Sequence, residues 1–411
     1  MKKNISFLAP VFLISIVFLF SSCLKDHCSR TYNIITPVYT KLSVLRSAVQ
    51  SKPAAAIVNT GKLYIRDKWI FLNEQNKGIH VIDNSNPSHP VKTSFINIPG
   101  SIDMSVKENI LYADLYCDLA AIDISNPKNI SVAKFLTNTF PEKAVYSSST
   151  NPDSINITTG WTSRDTVVNC DEVRLLTDCI NCSTPFYYSA ASASSTGKAV
   201  GAAGSMARFA TVDNYMYAVS TSNLSVININ EAANPLFIQK KNIGWDIETI
   251  FPYKNKLYIG AGSSMSVYDL LDPADPQRSS WNGHWCSRDP VVADDNYAYV
   301  TLHEANVCGS KVNQLEIYNL SVPYSPVLLK TYPLTNPQGL SKDGNLLFIC
   351  DDGLKIYDVT DASNIKLIKH FPGMHSYDVI ANGGIAYLVA KDGLYQYDYN
   401  SVQNIHLLSK L

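Results

Sequence analysis

Apolar residues in this chain come in short runs broken by polar turns, and the runs occur in pairs. From Leu346 the sequence reads LLFIC, then Asp351-Asp352-Gly353, then LKIYD ending at Asp358. Two β-branched and aromatic runs joined by a tight Asp-Gly turn predict two antiparallel strands in a hairpin. The pattern recurs at 70–87, 111–127 and 257–273, and in weaker form at 216–235, 298–323 and 386–404. The aromatic of the first strand falls at Phe71, Tyr112, Tyr217, Tyr258, Tyr299, Phe348 and Tyr387. The Asp or Asn closing the second falls at Asp83, Asp123, Asn228, Asp269, Asn319, Asp358 and Asp398. Both markers give one period near 41 residues, interrupted once by a gap of 105. A period of about 40–45 residues is that of a four-stranded propeller blade, which must stack on its neighbours to bury both faces. The expected fold is therefore all-β: a seven-bladed β-propeller of four-stranded antiparallel blades.

The predicted organisation is a leader at 1–22, a tether and short helix at 23–56, and the propeller at 57–411 with an insertion at about 141–206. Thr36-Pro37 reads as an N-cap followed by a first helical residue. Leu42, Leu45 and Val49 continue at helical spacing to about Gln50, and Lys52-Pro53 stops the helix. The insertion is strand-like from Ile155 to Val168 around Trp161. It then carries Cys170, Cys179 and Cys182, and a Ser/Ala/Gly run at 189–205 that reads as a flexible linker or long surface loop. It holds no copy of the motif, which favours an insertion over an eighth blade. The later blades begin near Ala207, Asp246, Asp289, Gly339 and Tyr377, and residues 406–411 are expected as the outermost strand of the last, with Leu407 and Leu408 covering apolar surface.

Composition narrows the setting. Only 17% of residues are charged and the net charge is −1, which argues against a nucleic-acid partner. Lys2 and Lys3 precede an apolar stretch at 5–20, and Ser21-Ser22-Cys23 follows it. So short an apolar run, ending on small residues, reads as a cleaved export signal and not a spanning helix. The small-small-Cys ending resembles the lipobox of bacterial lipoproteins, which implies removal of residues 1–22, lipid on Cys23 and a location in the cell envelope, at the outer membrane. An ordinary signal peptide cut nearby is the alternative.

The strand pairs themselves (LYAD…LAAIDISNP, IFLN…IHVIDNSNP, LFIC…LKIYDVTD) resemble the LVIVD repeat of bacterial secreted and cell-surface proteins. The resemblance spans roughly 57–140 and 207–411. It implies a β-propeller and an exported location, and it brings no reaction, ligand or catalytic residue with it.

Candidate chemistry is sparse. Cys117 and Cys350 occupy matching places in non-adjacent blades, too far apart to bridge, and read as buried free thiols. Cys286 and Cys308 fall within one blade, where a disulfide is open. Cys170, Cys179 and Cys182 suit a disulfide inside the insertion better than zinc, since a fourth ligand is not evident. No G-x-S-x-G, phosphate-binding glycine loop or zincin motif occurs, so no catalytic, cofactor or metal site is assigned. His284, His303 and His375 are scattered and read as surface histidines.

Two clusters stand out. Trp281, His284, Trp285, Arg288 and Asp289 could form an aromatic sugar or peptide platform, or the tryptophans could pack between blades. The second cluster comes from aligning the copies on the strand aromatic and stepping back nine or ten residues to the start of each innermost strand. The positions reached are Lys62, Asp103, Arg208, Glu248, Asp289, Gly339 and Asp378. Six of the seven are ionisable, and strand starts meet around one end of a propeller channel. This mixed ring suits a polar ligand or a bound cation; it could equally be an internally paired set. The reading is a non-catalytic envelope lipoprotein, anchored through Cys23, whose propeller binds or scaffolds a protein or glycan partner. The rival is a glycan-active lyase or hydrolase with its site at the channel mouth.

Overall fold

The computed structural model describes residues 29–143, 154–169, 202–283, 290–303, 312–322 and 325–411. The leader, Cys23, Cys170, Cys179, Cys182, Cys286 and Cys308 lie outside these residues. Among the described residues no helix is long and apolar enough to cross a membrane.

Seven antiparallel blades follow one another, each from four consecutive strands. Blade one is Thr60–Arg66, Trp69–Glu74, Gly78–Asp83 and Val91–Asn97; blade two is Met104–Lys107, Ile110–Leu115, Asp118–Asp123 and Ser131–Leu136. Blade three is Phe209–Val212, Tyr215–Val219, Asn223–Asn228 and Leu236–Asn242; blade four is Ile247–Tyr253, Lys256–Ala261, Ser264–Asp269 and Gln277–Gly283. Blade five is Val291–Ala293, Tyr297–Leu302, Gln314–Asn319 and Val327–Pro333; blade six is Leu340–Asp343, Leu346–Cys350, Leu354–Asp358 and Lys366–Phe371. Blade seven is Ser376–Asn382, Ile385–Ala390, Gly393–Asp398 and His406–Lys410. Each innermost strand touches the next from blade one round to blade seven, and the second strand of blade seven touches the innermost strand of blade one.

Burial explains the sequence pattern. The second and third strands are covered on both faces by neighbouring blades, so they read as apolar runs instead of alternating. The outer strands are mostly exposed. The marker aromatics Phe71, Tyr112, Tyr217, Tyr299 and Phe348 are among the largest fully buried side chains. Several tyrosines also tie blades together through the hydroxyl, which needs a partner once the ring is buried. Tyr64 Oη donates to Val106 O at 3.0 Å, Tyr112 Oη to Ala232 O at 2.7 Å and Tyr217 Oη to Pro273 O at 2.7 Å. Cys117 and Cys350 are free and buried, as the spacing implied, and burial pushes the Cys117 thiol up to about 12.

Closure joins complete first and last blades. Thr60 Oγ1 donates to Ala390 O at 2.9 Å, Ser409 Oγ to Pro87 O at 2.7 Å and Gln396 Nε2 to Asn84 Oδ1 at 2.7 Å. Leu63, Ile65, Ile70 and Leu72 share an apolar cluster with Ile380, Val389 and Leu394, and Leu411 packs against it. Leu407, expected to cover apolar surface, is exposed instead; Ile405 and Leu411 do that packing.

Every outer strand carries a β-bulge at its third residue: Thr93, Ala133, Ile238, Ser279, Leu329, Ile368 and Leu408. The repeat thus preserves an irregularity as faithfully as a pairing.

The N-terminal reading needs correction. The helix covers only Leu42–Ser47, and Thr36-Pro37 lies inside the strand Ser29–Lys41, which pairs with Asn156–Asn169. The alternating β-formers Ile34, Thr36, Val38 and Thr40 find a partner strand, and this tertiary pairing overrides the local capping signal. Gln50–Pro53 is a fifth strand on the outer edge of blade one, pairing with Ser94–Asn97 beyond the bulge. Leu42, Leu45 and Val49 pack with Ile155 and Ile157, while Arg46 forms an ion pair with Asp118 at 2.7 Å in blade two. Among the described residues, 29–38 and 160–169 belong to one compact unit, and the rest, from residue 39 on, to another. Within the smaller, Asn33 Nδ2 donates to Asp165 Oδ1 at 2.9 Å.

Candidate functional site

Three of the seven innermost strands start out of register. Blade one slips between Thr60 and Leu63, blade four between Ile247 and Thr249, and blade seven between Ser376 and Asp378. Lys62, Glu248 and Asp378 sit on these slips, which re-aim side chains. In blade two the start is shaped by Asp114, which is fully buried. Its Oδ1 accepts from Ile102 N at 2.8 Å and Asp103 N at 2.9 Å. Glu74 receives Val58 and Asn59 N–H groups in the same way in blade one, and Asp351 those of Thr335 and Asn336 in blade six. One carboxylate per blade thus fixes the connection that leads into the ring in these three blades.

Lys62, Asp103, Arg208 and Asp378 converge, and a segment of the chain itself lies among them. Ala202–Ala203 pairs with Ile65 and Tyr64 on the inner edge of blade one. Lys62 Nζ then donates to Met206 O at 2.5 Å and stands 3.7 Å from Asp103 Oδ2. Asp103 Oδ2 also accepts from Arg208 N, and its Oδ1 from Met104 N at 2.7 Å. Ser205 Oγ donates to Asp378 Oδ1 at 3.1 Å and accepts from Leu340 N at 2.6 Å. Ala207 O accepts from Ile250 N at 2.9 Å. Gly339 is part of the same packing. A Cβ there would stand 2.2 Å from Asp378 Oδ1, and one on Gly204 would stand 1.6 Å from Asp378 Oδ2, so neither position takes a side chain.

The side chains of Lys62 and Asp103 are each only 2% exposed, and Asp378 is equally buried. Desolvation pulls the Lys62 ammonium down to about 8, against the opposing pull of Asp103 and Asp378. Burial raises Asp103, with Lys62 and the Arg208 and Met104 amides working against it. Burial also holds Asp378 well above the usual carboxylate range, with Lys62 and Ser205 opposing. Among the described residues, Asp378 Oδ2 and Arg208 Nε are buried without a hydrogen-bond partner. The group holds the chain's own backbone: an amine for the Met206 carbonyl, and carboxylates for the Arg208 N–H and the Ser205 hydroxyl.

Other predicted site residues lie elsewhere. Glu248 is half-buried at its slip. Trp281 belongs to the outer strand of blade four and not to a connection between blades; it is 59% exposed and lies three strands out from the ring. His284, Trp285, Arg288 and Asp289 fall outside the described residues. His375 is exposed and His303 half-buried. Among the described residues no group of three His, Cys, Asp or Glu is arranged to hold a metal ion. The sequence reading missed Gly204, Ser205 and Met206. Gly204 and Ser205 end the run at 189–205 that reads as a linker or surface loop and Met206 follows it, yet all three are buried.

Among solved structures, the computationally designed Ika8 protein matches with a TM-score of 0.50 at 10% identity, over 88% of this chain and 90% of that one. PorZ, a bacterial surface component of the type-IX secretion system of Porphyromonas gingivalis, matches at 0.49 and 13%, over 87% of this chain and 39% of that one. BamB from Moraxella catarrhalis matches at 0.48 and 9%, over 88% and 97%. The likeness to Ika8 is one of fold alone. No curated protein matches the sequence. The LVIVD repeat family matches residues 59–96 and 101–135. These are blades one and two: the chain carries LVIVD repeats, folded as consecutive blades of a seven-bladed propeller.

Proposed function

We propose that this protein is a non-catalytic binding or scaffold module of the cell envelope, anchored through lipid on Cys23 and presenting its propeller to a protein or glycan partner. The observation that carries the reading is the state of the ring. Glycan cleavage needs an acid and a base that reach substrate. The ionisable groups that do converge here, Lys62, Asp103 and Asp378, are buried and engaged with residues 205–208. Binding surface is available on the perimeter. Leu236, Phe237 and Ile238 in blade three, Trp281 in blade four, and Val327, Leu328 and Leu329 in blade five are exposed apolar residues on the outer strands of consecutive blades.

The test is to incubate the purified protein with a panel of polysaccharides and peptides, follow retention on the immobilised protein, and follow ligand mass by mass spectrometry. The expected result is retention with ligand masses unchanged. Release of shortened glycan would overturn the reading in favour of the enzyme.

A further inference from the structure

Residues 202–208 are bound by the rest of the propeller as a peptide ligand is bound. Recognition begins by strand addition, Ala202 opposite Ile65 and Ala203 opposite Tyr64. It continues through main-chain groups: Met206 O to Lys62, Ala207 O to Ile250 N, and Arg208 N to Asp103. One hydroxyl is read, that of Ser205, by Asp378 and Leu340 N. One position is restricted to glycine, because a Cβ on Gly204 would collide with Asp378. Within a few residues the segment engages blades one, two, four, six and seven.

The fit is incomplete. Among the described residues, Asp378 Oδ2 and Arg208 Nε are buried with no hydrogen-bond partner, and a buried polar group left unmet destabilises the arrangement that buries it. An occupant held at such a cost is easier to displace than one with every group met. We propose that the ring end of the channel is a binding site for an extended peptide that contains Gly-Ser, and that residues 202–208 are its resident occupant, exchangeable for such a segment of a partner chain. This rests on the binding reading and deepens it. Lys62 supplies the carbonyl contact, Asp378 selects the hydroxyl, and the Gly204 contact excludes larger residues.

The experiment uses full-length protein and a fluorescent peptide with the sequence of residues 200–208. Gly204→Asp places a side chain where none fits and a carboxylate beside Asp378, which expels the resident segment. Peptide affinity by fluorescence anisotropy is expected to rise at least about tenfold over the parent, because the site is no longer self-occupied. The same peptide carrying Asp at its glycine is expected not to bind. A folded Gly204→Asp protein whose 204–208 amides exchange freely, yet which takes up no peptide, overturns the proposal. If Gly204→Asp does not fold, hydrogen exchange on the parent decides. Met206 and Arg208 amides are expected to exchange at least about tenfold faster than those of Tyr112 and Phe348, as local release without unfolding requires. Equal rates would make the segment ordinary core and end the proposal. Failure here leaves binding at the perimeter standing; glycan turnover in the panel assay is what removes the binding reading itself.

Discussion

Lys62 is held against Met206 and Asp103 where an ammonium ion has lost its hydration, and that loss is the first cause of its lowered pKa. Removing one partner of a buried pair strands the other charge, so Lys62→Met should destabilise the protein by about 3–5 kcal/mol at pH 7. The pH dependence has a definite sign. Between about pH 8 and the ordinary lysine value of 10.5, the unfolded chain holds a proton that the folded chain has released. The parent therefore gains stability from this group as pH rises through that window, and the variant cannot. The gap between them, measured by urea unfolding at pH 7, 8, 9 and 10, should widen by up to about 1.4 kcal/mol per unit above pH 8. A gap that narrows would mean Lys62 is not desolvated as described. Lys62, Asp103 and Asp378 were legible in the sequence because the repeat gives every blade a common origin to count from. Gly204 and Ser205 were not. Nothing in a Ser/Ala/Gly run distinguishes residues that enter a channel from residues that cross a surface. Their selection is steric, and it depends on an aspartate far along the chain.

At the scale of strands, pattern and period together identified every blade, because each inner strand is sandwiched and each outer one is not. The N-terminal stretch was misread because its signals were local while its partner, Asn156–Asn169, is remote in sequence. The C-terminal strand separates two contributions that the sequence merged. Leu407 points to solvent, whereas Leu411 exchanges two backbone hydrogen bonds with Leu394, at 2.9 and 3.1 Å, beside the closing cluster. Deleting residues 406–411 uncovers the edge of Gly393–Asp398 and part of that cluster, and should lower the melting temperature by several degrees. Leu407→Ser should stay within about 0.5 kcal/mol of the parent, as surface changes do. Equal losses in the two variants, by calorimetry, would show that the strand contributes through Leu407 after all.

For the molecule as a whole, a ring of seven interlocked blades has no free end, and closure falls on the blade seven to blade one contacts. The proposed anchor adds a constraint on where that ring works. Cys23→Ser should move the protein from the membrane pellet to the soluble fraction, or leave the precursor uncut; a processed Cys23→Ser protein still in the pellet would remove the lipid from the account. A propeller also presents seven sheet edges to its surroundings, and a lipid anchor would concentrate copies of it in two dimensions. Long, flat edges of that kind template strand-to-strand growth into aggregates and fibres. The bulge at the third residue of every outer strand interrupts each edge and shortens the run open to pairing, and on blade one the stretch beyond it is already covered by Gln50–Pro53. What the repeat copies from blade to blade, along with its hydrophobic core, is protection against polymerising with its own kind.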